Sequence, residues 1–391
     1  MPRHDESEQA TMSKRPRKTN KIRADLRKKH QPRKRQGNLT RGYHEHGYAE
    51  QDLEYGERVS GKGELTRRRT VTGVEADAET TGFEVVPEVD HETCSEGRVL
   101  AVHGLVSQVQ AENGDLYQCV TRGLLKTLST DQRHVVAAGD RVWFRPGEDQ
   151  SGWIERVEPR TGILSRTSRG RQHILVTNVD QVLIVVSVAE PALKPNLIDR
   201  FLVTAEKTGI DALICLNKID LVDLADLQPL AGVFGQMGYS VIFTSVKTGF
   251  GIDRLRNLLR GKETVVSGQS GVGKSSLLNA VEPGLDLAVR EVSTDNEKGR
   301  HTTTVSRLLP LAQGGYVVDT PGIRQFQLWD VIAEEVAGFF RDLRPYVNQC
   351  RYPDCTHTHE ADCAVKDAVA DGHLDVRRYE SYTRLFAGDS V

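Results

Sequence analysis

The chain has 391 residues, enough for two or three domains that each bury a hydrophobic core. Its formal net charge is only −2, and no apolar run approaches the roughly 20 residues that a membrane-spanning helix needs. The first residues are polar and basic rather than apolar, so the composition argues against a secretory signal and a membrane protein and predicts a cytoplasmic protein.

Residues 1–96 are divided by charge. Residues 14–41 are densely basic, with Asp25 as the single acid, and residues 45–96 are acidic and poor in bulky apolar side chains. Such composition predicts a disordered basic arm followed by a disordered acidic insert. The arm is either a solvated tail or a segment that neutralises nucleic-acid phosphates, and its interspersed Gln, Asn and His favour the second interpretation.

Residues 97–160 show five short alternating runs separated by turn residues such as Asn113-Gly114. This pattern predicts a small β-barrel, with an OB-fold as the leading candidate. Barrels of this kind bind oligonucleotides through basic grooves and aromatic platforms. Trp143 and Trp153 fit the barrel core and a stacking surface equally well.

Residues 161–328 alternate strands with helices, which predicts a doubly wound α/β sheet with its ligands at the carboxyl ends of the strands. Residues 182–188 read as a buried parallel strand. Asn196 is expected to cap the next helix, whose apolar residues fall on one face. Cys215 lies in an apolar strand and is expected to pack in the core.

A phosphate-binding loop follows the run Thr264–Ser267. Its glycines let main-chain N–H groups cradle phosphates, Lys274 is expected to reach the β- and γ-oxygens during catalysis, and the Ser275 hydroxyl to bind Mg²⁺. The loop residues are Gly268, Gln269, Ser270, Gly271, Val272, Gly273, Lys274, Ser275 and Ser276.

Asn217-Lys218-Ile219-Asp220 precedes that loop by about fifty residues. The Asp220 carboxylate can accept from both N–H groups of guanine, which adenine lacks, so GTP is favoured over ATP and a P-loop ATPase or kinase is disfavoured. Ser245, after the next strand, is expected to help place an N–H at the guanine oxygen. In an ordinary small GTPase the phosphate loop comes first, so the reversed order predicts a circularly permuted domain.

Two segments are expected to contact the γ-phosphate. Asp319 would hold Mg²⁺ through water and the Gly322 N–H would contact the phosphate, although the segment could also be an ordinary strand-end turn. Thr302 or Thr303 should complete the Mg²⁺ shell. Ile323 stands where a water-positioning Gln is expected, so unaided turnover should be slow. His301 could supply catalysis or serve as a loop or partner contact.

Residues 329–391 contain three cysteines and a histidine within fourteen positions: Cys350, Cys355, His357 and Cys363. Soft sulfur and nitrogen ligands at this spacing suit one structural Zn²⁺ per chain. His359 is a competing ligand, and redox or buried cysteines are the alternative. We therefore expect this short segment to depend on the metal for its shape.

Together, the permuted order, the phosphate loop, Gly299-Arg300-His301-Thr302-Thr303-Thr304, Asp319-Thr320-Pro321-Gly322-Ile323-Arg324 and the Cys/His spacing resemble the small-ribosomal-subunit-dependent GTPase A family, RsgA or YjeQ. The resemblance runs from about Gly97 onward. It implies an OB-fold, a permuted GTPase domain and a small zinc-binding helical domain that act on the 30S subunit and its 16S rRNA late in assembly. It also implies hydrolysis of GTP to GDP stimulated by the subunit. The family's guanine-binding positions match Asn217, Lys218 and Asp220, its phosphate loop matches residues 268–276, its zinc ligands match the three cysteines and the histidine above, and its switch histidine matches His301.

The acidic insert departs from this pattern, since family members usually join a short basic arm directly to the barrel, and Met12 is an alternative start. We expect a monomer. The rival function is a GTP-gated RNA-binding checkpoint in which hydrolysis is incidental.

Overall fold

The structure is a computed structural model that describes residues 20–25, 68–75, 85–123, 125, 135–168, 171–287, 306–319 and 331–388. Within these ranges, no helix has the length and apolar character needed to cross a membrane.

Three short strands lie in the extension that was expected to be disordered. Strands β1 (Asn20–Asp25), β2 (Arg68–Glu75) and β3 (Val85–Pro87) form an antiparallel sheet in which Ile22 pairs with Val71. In these segments the structure differs from the expectation, because Val and Thr recur along β2 and favour extended backbone. The rest of residues 1–84 lies outside the described ranges, and a domain boundary near residue 96 stays a prediction.

The predicted barrel is present. Its strands are β4 (Ser95–His103), β5 (Val106–Ala111), β6 (Leu116–Thr121), β7 (Arg141–Pro146) and β8 (Ser151–Val157). They are hydrogen-bonded in the order β4-β5-β6-β8-β7, and β7 pairs back with β4 to close the barrel, with β6 parallel to β8. This is the five-strand Greek-key arrangement of an OB-fold.

The α/β domain follows a hairpin of β9 (Leu164–Ser168) and β10 (Arg171–Val176). Its strands are β11 (Gln181–Ser187), β12 (Asp211–Asn217), β13 (Ser240–Thr244), β14 (Glu263–Ser267), β15 (Arg307–Pro310) and β16 (Tyr316–Asp319). Its helices are α1 (Pro195–Thr208), α2 (Leu224–Gln236), α3 (Ile252–Leu259) and α4 (Lys274–Val281). The strand order is β13-β12-β11-β14-β16-β15, parallel except for β15.

The residues of the central strands explain this layering. Every residue of β11 is buried, with alternate side chains entering the apolar clusters on the two faces of the sheet, as in a strand covered by helices on both sides. Cys215 is fully buried in the same sheet, which confirms its predicted place in the core.

The predicted cap of α1 was wrong. Lys194 is the residue before the helix, Pro195 occupies its first turn, and Asn196 already lies inside. Proline is favoured at this position because its fixed φ suits the helix and its missing N–H would be unpaired there anyway. The helix therefore begins two residues earlier than a cap at Asn196 predicts.

The barrel and the α/β domain share one sheet. Strand β15 pairs with β4 through Arg307 and Ala101, which joins both sets of strands into an eleven-stranded sheet. The buried side chain of Arg98 in the barrel forms an ion pair with Glu263 at the start of β14. The Tyr316 hydroxyl, at the start of β16, donates to Gln110 Oε1 at 3.0 Å.

The carboxy-terminal helices form a separate apolar cluster that includes Val203 of α1. They comprise a 3₁₀ helix (Ala333–Phe339), α5 (Arg344–Val347), α6 (Ala364–Ala370) and α7 (Val376–Phe386). Arg378 of α7 is buried between the carboxylates of Asp199 on α1 and Asp342. This charged contact anchors the helices to the α/β domain.

Candidate functional site

Four sequence-predicted segments meet at one edge of the parallel sheet. Asn217 is the last residue of β12, Ser245 follows β13, Gly268 follows β14 and Asp319 ends β16. Residues 217–220 follow β12 and the phosphate loop follows β14. Only strand β11 lies between these two strands, so the two motifs are close in space although they are distant in sequence. The carboxyl edge of such a sheet is where ligands bind in open α/β folds.

Direct hydrogen bonds join the two motifs. The Asn217 side-chain amide donates to the Val272 carbonyl at 2.9 Å, and the Lys218 ammonium donates to the Gly271 carbonyl at 2.9 Å. Asn217 is almost fully buried, and its side-chain oxygen accepts from the Thr244 hydroxyl at 3.0 Å. Residues 217–220 and the phosphate loop are therefore held as one unit.

Asp220 is oriented by the residue predicted to act beside it. The Ser245 hydroxyl donates to Asp220 Oδ1 at 2.6 Å, and the same hydroxyl oxygen accepts from the Thr248 N–H at 3.2 Å. Lys218 has a left-handed backbone with φ of 64°, which starts the short 3₁₀ turn Ile219–Leu221 that carries the carboxylate. The geometry leaves the second oxygen of Asp220 free of these contacts.

Glycine is required at two points of the phosphate loop. A Cβ on Gly268, where φ is 144°, would lie 2.1 Å from the Val185 carbonyl oxygen. A Cβ on Gly273, where φ is 91°, would lie 2.8 Å from Asn217 Nδ2. These close approaches let the loop fold back under the amino terminus of α4 and beside residues 217–220.

Helix α4 begins at Lys274, so its unpaired N–H groups and positive pole face the loop. The Lys274 ammonium donates to the carbonyls of Gly268 and Gln269, each at 2.7 Å, and so lies across the loop. Ser275 and Ser276 occupy the first turn of α4 and are only partly buried. The loop can accept an anion with several phosphoryl oxygens.

Asp319 is exposed at the end of β16, next to the strand that leads into the phosphate loop. The other predicted γ-phosphate and catalytic residues lie outside the described ranges: His301, Thr302, Thr303, Gly322 and Ile323. Their roles stay predictions.

Two residues of the site were missed by the sequence reasoning. Thr244 fixes the Asn217 amide, and the Glu190 carbonyl accepts from the Lys218 ammonium. Thr244 could have been found as the last residue of its strand, directly before Ser245. Nothing in the sequence distinguishes a main-chain carbonyl such as that of Glu190.

A second site lies in the carboxy-terminal helices. The ligand atoms of Cys350, Cys355, His357 and Cys363 all lie within 4.8 Å of one another. Cys350 Sγ is 3.8 Å from Cys363 Sγ, and His357 Nδ1 is 3.3 Å from Cys350 Sγ and 3.6 Å from Cys363 Sγ. Zinc bonds of about 2.3 Å to sulfur and about 2.0 Å to nitrogen give tetrahedral edges of about 3.8 Å and about 3.5 Å. The four residues therefore fit a tetrahedral metal ion.

The surroundings fix these ligands in place. The Tyr379 hydroxyl donates to the His357 carbonyl at 2.8 Å, and the Glu360 carboxylate accepts from the Thr356 and Thr358 N–H groups. Burial lowers the pKa of His357 and so favours the neutral imidazole, the form that binds a cation. His359, the competing candidate, is exposed and lies outside the four-residue group.

Comparisons with known proteins agree with this arrangement. A family model described as RsgA GTPase matches residues 157–329. A Thermotoga petrophila protein named small ribosomal subunit biogenesis GTPase RsgA is 41% identical over 294 residues, covering 74% of this chain and 95% of that protein. A Gemmatimonas aurantiaca protein of the same name is 42% identical over 298 residues, covering 75% of this chain and 97% of that protein.

Solved structures show the same similarity. The crystal structure of YjeQ from Thermotoga maritima gives a TM-score of 0.63 at 37% identity, over 75% of this chain and 98% of that one. The crystal structure of YloQ, described as a circularly permuted GTPase, gives a TM-score of 0.60 at 31% identity, over 77% of this chain and 97% of that one.

Proposed function

The chain belongs to the RsgA GTPase family, and we propose that its GTP hydrolysis is stimulated by the 30S ribosomal subunit and accompanies a late step in that subunit's maturation. Family membership makes the protein a GTP hydrolase and a small-ribosomal-subunit biogenesis factor. One observation carries the nucleotide part of this proposal: the contact between Asn217 and Val272 supports a single pocket for the guanine base and the phosphates.

Guanine recognition is assigned to Asp220, with Asn217, Lys218 and Ser245 in support. Asp220 accepts from the ring N–H and the exocyclic amine of guanine, while the Ser245 hydroxyl holds one carboxylate oxygen and limits its rotation. The Lys218 stem lies over the base, and its ammonium is held by two main-chain carbonyls. Adenine presents no matching pair of donors, so ATP leaves the carboxylate without those two hydrogen bonds.

The phosphates are assigned to the loop from Gly268 to Ser276. Its main-chain N–H groups and the start of α4 surround the α- and β-phosphates, and Lys274 exchanges its loop carbonyls for phosphoryl oxygens. Ser275 and, through water, Asp319 would hold Mg²⁺, which offsets charge on the triphosphate. The Gly322 N–H is proposed as the γ-phosphate contact.

His301 remains our candidate for completing the catalytic site, because Ile323 can neither orient nor polarise water. Slow unaided turnover is the expected consequence, and the 30S subunit is the expected stimulus.

The cluster of Cys350, Cys355, His357 and Cys363 is proposed to hold one structural Zn²⁺. The metal would cross-link segments that otherwise have a small core. Helix α7 belongs to the carboxy-terminal helices, and its Arg378 pairs with Asp199 of α1. The zinc domain is therefore positioned directly against the GTPase domain. Nucleotide-dependent movement of one can therefore be transmitted to the other.

We expect a monomeric cytoplasmic protein that contacts 16S rRNA through the basic arm and the barrel. The rival proposal is a GTP-gated RNA-binding checkpoint in which hydrolysis is incidental. A non-hydrolysable GTP analogue separates them: trapping on the subunit supports hydrolysis-driven release, and free release supports the checkpoint.

The proposal is tested by measuring GTP turnover with and without purified 30S subunits, at low and raised salt. Stimulation that fades with salt is expected, because phosphate contacts weaken as counterions compete. Turnover that is the same with and without subunits would reject the proposal.

A further inference from the structure

The chain between Cys355 and Cys363 bends sharply at one of the four clustered residues. The backbone of His357 lies in the left-handed region, with φ of 57°. A residue with a side chain seldom adopts this conformation, which persists only where neighbouring groups hold it. The His357 imidazole is buried in the cluster, and its Nδ1 lies 3.3 Å from Cys350 Sγ. The bend therefore places the imidazole among the thiols and needs support from the surrounding chain.

The Glu360 carboxylate supports the bend from both sides of His357. Its Oε1 accepts from the N–H and the hydroxyl of Thr356, at 2.8 Å and 2.5 Å. Its Oε2 accepts from the N–H of Thr358 at 3.1 Å and from the N–H of His359 at 3.2 Å. Both carboxylate oxygens are thus used to hold the main chain before and after His357, and the side chain is only 13% exposed.

Glu360 is itself fixed in place by the helices of this domain. The Lys366 ammonium, on α6, donates to the Glu360 carbonyl at 2.9 Å. On the other side of the loop, the Tyr382 hydroxyl of α7 donates to the Thr356 carbonyl at 2.6 Å. None of these residues belongs to the group of four that could hold a metal ion. The support for the bend therefore comes from outside the metal ligands.

The same carboxylate separates two histidines that are only two positions apart. His357 is 3% exposed, whereas the side chain of His359 is 83% exposed. The His359 ring lies beside the Thr358 hydroxyl, at 3.1 Å, and its Nδ1 is 3.8 Å from Glu360 Oε1. Because Glu360 binds the main-chain N–H of His359 while it bends the chain at His357, one imidazole is held inside the cluster and the other at the surface.

We propose that Glu360 is a positioning residue that selects His357, rather than His359, as the nitrogen ligand of the metal. Without its carboxylate the left-handed bend loses its support, and the His357 imidazole is no longer held beside the three thiolates. Residues that orient a metal ligand from outside contribute about 10- to 100-fold to metal affinity. The inference rests on the zinc site of the proposed function and adds the residue that decides which histidine completes it.

The experiment uses the full chain and two ions. Zn²⁺ affinity is measured by competition with a chelating dye, and Co²⁺ is used because its visible absorption reports the ligands and their geometry. Glu360→Ala should lower the Zn²⁺ affinity about tenfold or more. Its cobalt spectrum should resemble that of His357→Ala, with the thiolate bands kept and the bands that depend on the imidazole shifted. Glu360→Gln, which presents an amide donor to the main-chain N–H groups, should show the same defect.

Asp362→Asn is the matched control. Asp362 is an exposed acid of the same loop and pairs with Arg351, so the substitution removes an equal charge near the cluster without touching the bend. It should keep the zinc affinity and the cobalt spectrum of the parent protein. In the His357→Ala background, Glu360→Ala should lower the affinity no further, because the ligand that it positions is already absent.

Parental affinity and a parental cobalt spectrum in Glu360→Ala would overturn the inference. It would also be overturned by an equal loss of affinity from Glu360→Ala in the parent protein and in His357→Ala, because Glu360 would then act on the loop as a whole. A parent protein that binds neither ion would reject the proposed zinc site and this inference with it. A parent protein that binds zinc equally well with and without the Glu360 carboxylate would reject the inference alone.

Discussion

The Asn217 side-chain amide donates a hydrogen bond to the Val272 carbonyl, and this 2.9 Å contact joins residues 55 positions apart. Asn217 also accepts from Thr244, so both ends of the amide are used inside the protein. The permuted chain therefore restores the arrangement that an ordinary GTPase obtains with its motifs in the opposite order.

Asn217→Ala should weaken GTP binding at least tenfold. The change leaves the Thr244 hydroxyl and the Val272 carbonyl without their side-chain partner, which costs about 1–3 kcal/mol of stability. Asp223→Ala is the matched control, because it removes the exposed cap of α2 at a cost of about 1 kcal/mol. Calorimetric titration with GTP should show normal affinity in the control. An equal loss in both variants would mean that Asn217 acts only through stability.

Lys274→Ala and Asp319→Asn should abolish the difference in 30S affinity between the GTP and GDP states, because each removes a contact assigned to the triphosphate or its Mg²⁺. Asp226→Asn, an exposed acid on α2, should retain the difference. Sedimentation of the protein with 30S subunits, in GTP and in GDP, measures this difference in affinity. If the first two variants still distinguish GTP from GDP, the proposed coupling between the nucleotide and the subunit is wrong.

Cys363→Ser should release the metal and unfold the carboxy-terminal helices, since Cys363 is buried in the four-residue group and in their apolar cluster. Metal analysis should give one zinc per chain for the parent protein and none for the variant. His359→Ala should keep the metal. Loss of zinc from His359→Ala together with retention in His357→Ala would show that His359, and not His357, is the fourth ligand.

Arg378→Met should destabilise the contact between α7 and α1 by about 3–5 kcal/mol, because Asp199 and Asp342 would lose their shared partner. Exposed Arg377, paired with Asp375, is the control, and Arg377→Met should cost less than about 1 kcal/mol. Chemical unfolding monitored by circular dichroism compares the two. A similar loss of stability in both variants would show that the buried ion pairs of Arg378 contribute no more than the exposed pair of Arg377 and Asp375.

The stability lost in Arg378→Met should also depend on pH. Burial raises the pKa of Asp199 to about 6 although Arg378 opposes this, and removal of Arg378 should raise it further. An acid whose folded pKa exceeds its unfolded value keeps more protons in the folded state, so stability falls as pH rises between the two values. The penalty of Arg378→Met should therefore be smaller at about pH 5 than at about pH 8. A penalty that shrinks with rising pH would contradict this assignment.

The sequence predicted those parts of the fold that depend on local patterns. The barrel strands alternate in hydrophobicity, and the loop from Gly268 to Ser275 is defined by residue type and spacing. Long-range charged contacts were not predictable. Arg378 and Asp199 are 179 positions apart, and each looks like a solvated residue of an amphipathic helix until the two helices pack together.

Other differences have equally local causes. Asn196 was expected as a cap, but Pro195 takes the first turn of the helix. Trp143 and Trp153 could not be assigned to the core or the surface, because alternation gives two faces and does not say which is inside. Only the closure of the barrel around Phe144 and Ile154 decides this.

Nucleotide turnover by Asp220→Asn with 30S subunits present shows whether this carboxylate reads the guanine base. Asparagine presents a donor where the carboxylate accepted, so the variant should hydrolyse GTP at least tenfold less efficiently in kcat/KM and should gain activity with xanthosine triphosphate, whose ring offers an acceptor at that position. We expect 30S subunits to stimulate this xanthosine triphosphatase activity as they stimulate the GTPase activity of the parent protein. Undiminished GTP turnover by Asp220→Asn would contradict it, because the base would then be read elsewhere.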